Sequence, residues 1–247
     1  GTLTANKIHY EDVRPLQFDK VHIQRLLGDF AHSASVTNRT SEAIIAGLQG
    51  KKITPVDEIP FSSARKWSAL AFDNDEMRGV YVLGAIEMLA PHLPKDTDLS
   101  QYTHDWSEQG LRVLLFAYNS NTTKLHDSLG NAGLPTLEPL AIVGFSDELR
   151  PNLKETLKGF INAGVALKVI SGDNPQTVSA LAKQAGFPSD FKSVSGTDLV
   201  TMDKAQFEQT VAETTVFGRI TPEQKEQIVD ALKSQGHYVA MIGDGVN

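Results

Sequence analysis

Residues 166–186 read Ala-Leu-Lys-Val-Ile-Ser-Gly-Asp-Asn-Pro-Gln-Thr-Val-Ser-Ala-Leu-Ala-Lys-Gln-Ala-Gly, and the order of their chemistry decides the fold. The apolar run 166–170 predicts a strand. Ser171-Gly172-Asp173 makes a polar turn. Asn174 followed by Pro175 is an N-cap with a first-turn proline. Val178, Leu181, Ala182 and Ala185 then fall on one helical face, and Gly186 ends it. This is a strand, a turn and a helix in 21 residues.

The same unit recurs on either side. Upstream, residues 140–145 (LAIVGF) read as a buried strand. The stretch after Arg150 begins with Pro151, carries Leu153, Leu157, Phe160 and Ile161 on one helical face, and stops at Gly164. Downstream, residues 215–217 form a short strand, and Thr221-Pro222-Glu223-Gln224 fits a capping box. The helix it opens buries Ile228, Val229 and Leu232, and residues 238–242 form a last strand ending in Gly243-Asp244-Gly245. Strands alternating with helices of this length predict an α/β fold with a mostly parallel, doubly wound sheet.

The first half lacks that alternation. Helical stretches at 21–31 and 40–48 precede strand-like runs at 52–55, 67–72, 80–83 and 111–118. Strands following helices in this way predict an α+β unit with an antiparallel sheet. The expected division is therefore one discontinuous domain, 1–15 with 138–247, and a second domain, 16–137, inserted into it. Neither internal repeats nor low-complexity segments interrupt this reading.

Composition narrows the function classes. With 40% hydrophobic and 21% charged residues in 247, the chain is ordinary for a soluble globular protein. No window approaches the roughly 18 consecutive apolar residues of a membrane-spanning helix. The opening GTLTANKIHY has neither a basic nor an apolar leader region, and it lacks an initiator Met, as expected of a chain that begins mid-protein or after processing. The absence of cysteine removes disulfides, thiolate metal sites and cysteine nucleophiles. A net charge of -7 argues against a nucleic-acid partner.

In an open parallel sheet, ligands bind beyond the carboxyl ends of the strands. Ser171-Gly172-Asp173, Asp147 and Asp244 each follow a predicted strand. A hydroxyl and backbone N–H groups at a strand-to-helix turn suit phosphate, and a neighbouring carboxylate suits Mg2+. Lys225 falls in a helical first turn, where the macrodipole disfavours a cation by about 0.3–1 kcal/mol. A bound phosphate would offset that. Each residue also has a plain reading: a solvated lysine between Glu223 and Glu226, a turn aspartate, the aspartate of an Asp-Gly turn.

Taken together, the strings resemble one family, the P-type cation-transporting ATPases. Gly1-Thr2-Leu3-Thr4 is similar to the tail of the phosphorylation motif Asp-Lys-Thr-Gly-Thr-Leu-Thr. Ser171-Gly172-Asp173-Asn174, with Thr177 behind it, resembles the Thr-Gly-Asp-Asn segment. Phe217-Gly218-Arg219 with Pro222-Glu223-Gln224-Lys225 resembles the Ala-Arg and Pro-Glu-Gln-Lys segment. Gly243-Asp244-Gly245-Val246-Asn247 matches the Gly-Asp-Gly-Val-Asn-Asp hinge up to its last residue, and Asp147-Glu148-Leu149-Arg150 is similar to the Asp-Pro-x-Arg segment. In the inserted half, Pro60-Phe61-Ser62-Ser63-Ala64-Arg65-Lys66 resembles the nucleotide-domain strand whose Phe stacks on adenine and whose Lys lines the ATP pocket. Gly110-Leu111-Arg112-Val113 resembles the segment whose Arg reaches the phosphates. Leu83-Gly84-Ala85-Ile86-Glu87 is similar to Lys-Gly-Ala-Pro-Glu, with Leu83 replacing a basic pocket residue.

The resemblance implies a haloacid-dehalogenase-like phosphorylation domain with an inserted nucleotide-binding domain. It implies ATP and Mg2+ as cofactors and an aspartyl-phosphate intermediate. Thr2 and Ser171 would bond phosphate oxygens, Lys225 would neutralise charge, and Asp244 would bind Mg2+. Asp173, next to Gly172, would position nucleotide and nucleophile. Phe61, Lys66, Gly84 and Arg112 would form the nucleotide pocket, and Asp147 with Arg150 would organise the hinge near it. The nucleophile is expected three residues before Gly1, so the chain by itself is expected not to form a phosphoenzyme. The implied parent is a plasma-membrane pump with this part in the cytoplasm, with transmembrane and actuator domains as partners. The transported ion, a hard cation such as Ca2+, would not be bound here. Two other readings stand beside this one: a haloacid-dehalogenase-like phosphatase with a cap domain, and a non-catalytic nucleotide-sensing module. A plain dinucleotide-binding dehydrogenase is disfavoured, because no Gly-x-Gly-x-x-Gly follows the first strand of the alternating half.

Overall fold

The structure, a computed structural model, describes residues 1–243. The elements in order are β1 (Thr4–Pro15), α1 (Lys20–Ser33), α2 (Arg39–Gly47), β2 (Asp57–Ile59), β3 (Trp67–Asp73), β4 (Arg78–Gly84), α3 (Ile86–Leu89), α4 (Ser100–Glu108), β5 (Arg112–Asn119) and β6 (Glu138–Leu149). There follow α5 (Leu153–Asn162), β7 (Val169–Ile170), α6 (Pro175–Ala185), β8 (Lys192–Ser195), α7 (Gly196–Leu199), α8 (Lys204–Glu213), β9 (Thr214–Gly218) and α9 (Pro222–Ser234). None of the described helices is long and apolar enough to cross a membrane. The chain divides into two compact units. One comprises Gly1–Lys7, Ser107–Arg112 and Asp147–Asn247, the other Ile8–Trp106 and Val113–Ser146. The division thus falls at other places than 15/16 and 137/138, because most of β1 and β6 belongs to the second unit's sheet.

That sheet has the order β1-β6-β5-β4-β3-β2, with β2, β3, β4 and β5 paired antiparallel. Asp19 caps α1 by accepting from the His22 N–H, and Ile23, Leu26, Leu27, Phe30 and Ala31 follow at helical spacing on its buried face. They pack with Leu70, Phe72, Tyr81, Leu83 and Phe116. Leu83 is therefore a core residue, 6% exposed. Residues 140–145 belong here too, between β1 and β5, and not in the parallel sheet as expected. A run buried on both faces looks alike in either kind of sheet, so its pattern does not say which sheet it joins.

The expected strand at 52–55 does not form. Side chains of α1 hold this backbone instead: Asp29 Oδ1 accepts from the Lys51 N–H at 2.7 Å and Ser33 Oγ from the Ile53 N–H at 2.9 Å. Two glycines make that approach possible. A Cβ on Gly28 would overlap the Gln49 carbonyl oxygen, and one on Gly50 would overlap the Gly28 carbonyl.

The first unit contains the parallel sheet, with β9 between β7 and β8. Its register places Val169 beside Val216 and Ile170 beside Phe217. Adjacent strand residues point to opposite faces. Val169 and Val216 pack with Leu157, Val178 and Ala182 from α5 and α6. Ile170 and Phe217 pack with Leu199, Val211 and Ile228 from α7, α8 and α9. Both faces are covered, which is the doubly wound arrangement. On the second face Lys168 reaches the end of α8, donating to the carbonyls of Val211 (2.8 Å), Ala212 (3.0 Å) and Thr214 (2.6 Å).

Three readings in this unit are corrected. The helix after Arg150 starts at Leu153, not Pro151, with Asn152 in the left-handed region at φ 59°. It ends as expected at Gly164, whose N–H bonds to the Ile161 carbonyl while that of Val165 bonds to Phe160. Of its apolar face Leu157 is buried, whereas Phe160 and Ile161 are 38% and 42% exposed. Strand β7 shrinks to Val169–Ile170. Residues 238–242 form no strand among the described residues, and Tyr238 and Ile242 are exposed. A strand exists only through its ladder, and residues 238–242 pair with no described strand. The elements β8, α7 and α8 were not foreseen.

Two measurements check the second unit, whose Trp67 and Trp106 report its unfolding. Gly28→Ala should lower the urea midpoint by an amount equivalent to about 1–3 kcal/mol, the usual range for an overpacked contact. The second concerns Asp105, whose carboxylate oxygens lie 2.7 Å from Arg14 Nη1 and Nη2. This pairing holds its pKa at about 2, below 3.8. A carboxylate depressed in the folded state adds stability above the unfolded pKa and loses it as pH falls through the folded one. Asp105→Asn should therefore flatten the fall in urea midpoint between about pH 3.8 and about 2 and leave the slope above it unchanged.

Candidate functional site

The Ser171 turn stands at the carboxyl end of β7. Ser171 N–H donates to the Phe217 carbonyl at 2.9 Å, and Ile220 N–H donates to the Ser171 carbonyl at 3.0 Å, so the ladder continues past the strand ends. The Ser171 hydroxyl oxygen accepts from the Asp173 N–H at 3.1 Å, and a hydroxyl that accepts can still donate its own proton. Arg219 N–H donates to the Asp173 carbonyl at 2.8 Å, with Arg219 held at φ 53°. A Cβ on Gly172 would lie 3.8 Å from the Ile220 carbonyl oxygen, an ordinary van der Waals contact. Asn174 and Pro175 open α6 as expected, with Asn174 Oδ1 accepting from the Gln176 N–H.

Arg112 joins this turn. Its Nη2 lies 2.9 Å from Asp173 Oδ2, the two side chains being 40% and 47% exposed. The contact is prepared by α6, where buried Thr177 donates to the Leu111 carbonyl at 3.0 Å and Gln184 Nε2 to the Gln109 carbonyl at 2.9 Å. Within the first unit, two motifs 61 residues apart are thus brought into contact.

Arg150 grips the opening segment. Its Nε and Nη2 donate to the Gly1 carbonyl at 3.2 and 3.0 Å, and its N–H donates to the Leu3 carbonyl at 3.0 Å. Thr2 lies between those two carbonyls and is exposed. Asp147 is a correction: it lies inside β6, not beyond a strand end, and its Oδ1 is buried without a hydrogen-bond partner among the described residues. Lys225 sits in the first turn of α9, half-buried, with no carboxylate paired to its ammonium among the described residues. Asp244, the expected Mg2+ ligand, lies outside the described residues.

In the second unit, residues 60–66 close a turn between β2 and β3. The Ser62 carbonyl accepts from the Lys66 N–H at 2.8 Å and Ser62 Oγ from the Arg65 N–H at 3.2 Å. Phe61 is left 48% exposed, and Lys66 takes φ 56°. The Lys66 carbonyl accepts from the Ala85 N–H at 3.0 Å. Gly84 pairs with Trp67 across β3 and β4, and a Cβ on it would overlap the Trp67 side chain. Phe61, Lys66 and Gly84 therefore belong to one corner of this unit. Residues not singled out beforehand are Arg219 and Gln224, whose places in the strings Phe217-Gly218-Arg219 and Pro222-Glu223-Gln224-Lys225 were the available signal, and Gly196, which had none.

The chain belongs to the haloacid dehalogenase-like hydrolase family, which matches residues 1–247. It is similar to a probable cation-transporting ATPase, exp7, of Streptococcus pneumoniae, at 34% identity over 100% of this chain and 30% of that protein. It is 32% identical to the calcium-transporting ATPase CtpE of Mycolicibacterium smegmatis, over 100% of this chain and 29% of the relative. The cation-transporting ATPase pma1 of Synechocystis matches at 33% identity over 82% of this chain and 24% of its own length. The chain spans less than a third of the length of these three proteins.

The grip of Arg150 has a direct readout. Arg150→Ala should lower the protection of the position-150 amide, whose N–H bonds to the Leu3 carbonyl, by about tenfold after correction for the intrinsic rate of the new residue, the equivalent of a net hydrogen bond. Exchange at Arg219, bonded to Asp173, should not change.

Proposed function

We propose that this chain is the ATP-binding and phosphorylation part of a P-type cation pump. The observation that carries the reading is the meeting of Arg112 with the Ser171-Gly172-Asp173 turn at 2.9 Å. A guanidinium and a hydroxyl that can donate its proton are together a set suited to phosphate at the end of a parallel strand. An exposed ion pair of this kind contributes at most about 1 kcal/mol, so a nucleotide phosphate can displace the carboxylate from Arg112 at little cost. The family match and the names of the relatives point the same way.

In this reading the first unit is the phosphorylation domain and the second, with Phe61, Lys66 and Gly84, the nucleotide domain. The acceptor carboxylate is the aspartate of the motif whose Gly1-Thr2-Leu3-Thr4 tail this chain carries. Thr2 and Ser171 bond phosphate oxygens. Lys225 offsets the charge of the transferred group, and that phosphate in turn relieves the unfavourable dipole at its helical position. Asp173 exchanges between Arg112 and the nucleotide. Phe61 offers its exposed face to adenine, and Lys66 adds a cation. Bound Mg2+, held by Asp244 and phosphate oxygens, would neutralise phosphate charge. The parent couples this chemistry to transport of a hard cation such as Ca2+, which its transmembrane part binds, with an actuator domain as a further partner and this part on the cytoplasmic side.

The test is a backbone NMR titration with a non-hydrolysable ATP analogue and Mg2+, comparing wild type with Phe61→Ala. Saturable shifts at Phe61 and Lys66 are expected. Loss of the base stack should weaken binding by about 1–3 kcal/mol, roughly 5- to 150-fold. A wild-type chain without saturable shifts there would refute the nucleotide reading and favour a phosphatase with a cap.

A further inference from the structure

The capping box of α9 asks for less than Gln224 supplies. A residue at this position need only accept a hydrogen bond from the N-cap N–H, which glutamate does as well as glutamine. Gln224 meets that need, its Oε1 accepting from the Thr221 N–H at 3.1 Å. Its amide nitrogen does something further, donating to the Gly196 carbonyl at 2.7 Å. Only the amide can make both bonds, since a carboxylate has no proton to donate. The residue is 8% exposed, so losing either bond leaves a buried group unsatisfied.

Gly196 is shaped for this contact. A Cβ there would overlap both Gln224 Oε1 and the Arg219 carbonyl oxygen. Arg219 in turn donates to the Asp173 carbonyl. A chain of contacts therefore runs from the Ser171-Asp173 turn through Arg219 and Gly196 to Gln224. The next residue is Lys225. Successive helical residues are rotated by about 100°, so a Gln224 side chain tied inward at both ends fixes the direction in which Lys225 leaves α9.

We propose that Gln224, with Gly196, is a positioning residue that aims Lys225 at the phosphate held by the Ser171 turn. It touches no ligand itself. The inference rests on the phosphate role given to Lys225 above.

The experiment uses the 247-residue chain with labelled lysine. Inorganic phosphate is titrated while the Lys225 Cε–Nζ signals are followed, and exchange at the Phe217 amide monitors the fold. Gln224→Met and Gly196→Ala should each weaken the Lys225 response about tenfold or more, the effect of misplacing a charge-assisted hydrogen bond, with Phe217 still protected. Gln224→Glu keeps the capping box but lacks the donor when ionised. Its deficit relative to wild type, measured at matched pH, should shrink as pH falls and the buried carboxyl regains a proton, whereas that of Gln224→Met should not. Equal phosphate responses in wild type and all three variants would overturn the positioning role alone. No response at Lys225 in wild type would overturn the phosphate role and this inference with it.

Discussion

The first unit turns on how closely the end of β9 approaches the start of α6. Gly218 has no room for a side chain, because a Cβ there would overlap the Cα, Cβ and N of Pro175. This contact sets the end of the central strand against the turn that follows its neighbour β7. From it follow the bonds from Ser171 to Phe217, from Ile220 to Ser171 and from Arg219 to Asp173. The strained φ of Arg219 is part of the same geometry. A residue with a Cβ at 218 would move all of these together, since the interior resists displacement by even one methyl group.

The unit holds two half-buried lysines in opposite settings. Lys168 is enclosed by three carbonyls at the end of α8, where the helix dipole welcomes a positive charge, and burial pulls its pKa below the ordinary lysine value. Lys225 occupies the opposite setting, the first turn of α9, where the dipole opposes it. Both lysines are half-buried, and among the described residues the first has its compensation in those carbonyls whereas no carboxylate pairs with the second. This asymmetry is why the phosphate role is proposed for Lys225 and not for Lys168.

How much was legible depended on how local the physics was. Asn174, Pro175 and Gly186 around α6, Thr221 with Gln224 at α9, and Gly164 after α5 were all read correctly, because a cap is satisfied within a few residues of itself. Residues 52–55 were misread because Asp29 and Ser33 of a distant helix bind the backbone just ahead of and within that run. Asp147 was placed at a strand end because its strand was read as shorter than β6 proves to be. The segment 238–242 has the composition of a strand, but hydrogen-bonded partners cannot be read from composition.

By itself the sequence determined the strand, turn and helix around Ser171, the caps of α6 and α9, and the family. These depend on residue type and on spacings of a few positions. Only the tertiary structure decided which sheet residues 140–145 join, that Arg112 meets Asp173, that Arg150 holds both carbonyls flanking Thr2, and that Gln224 reaches Gly196. Each of these joins residues far apart in the chain. Their partners are chosen by backbone approach and side-chain reach, which exist only once the core has packed.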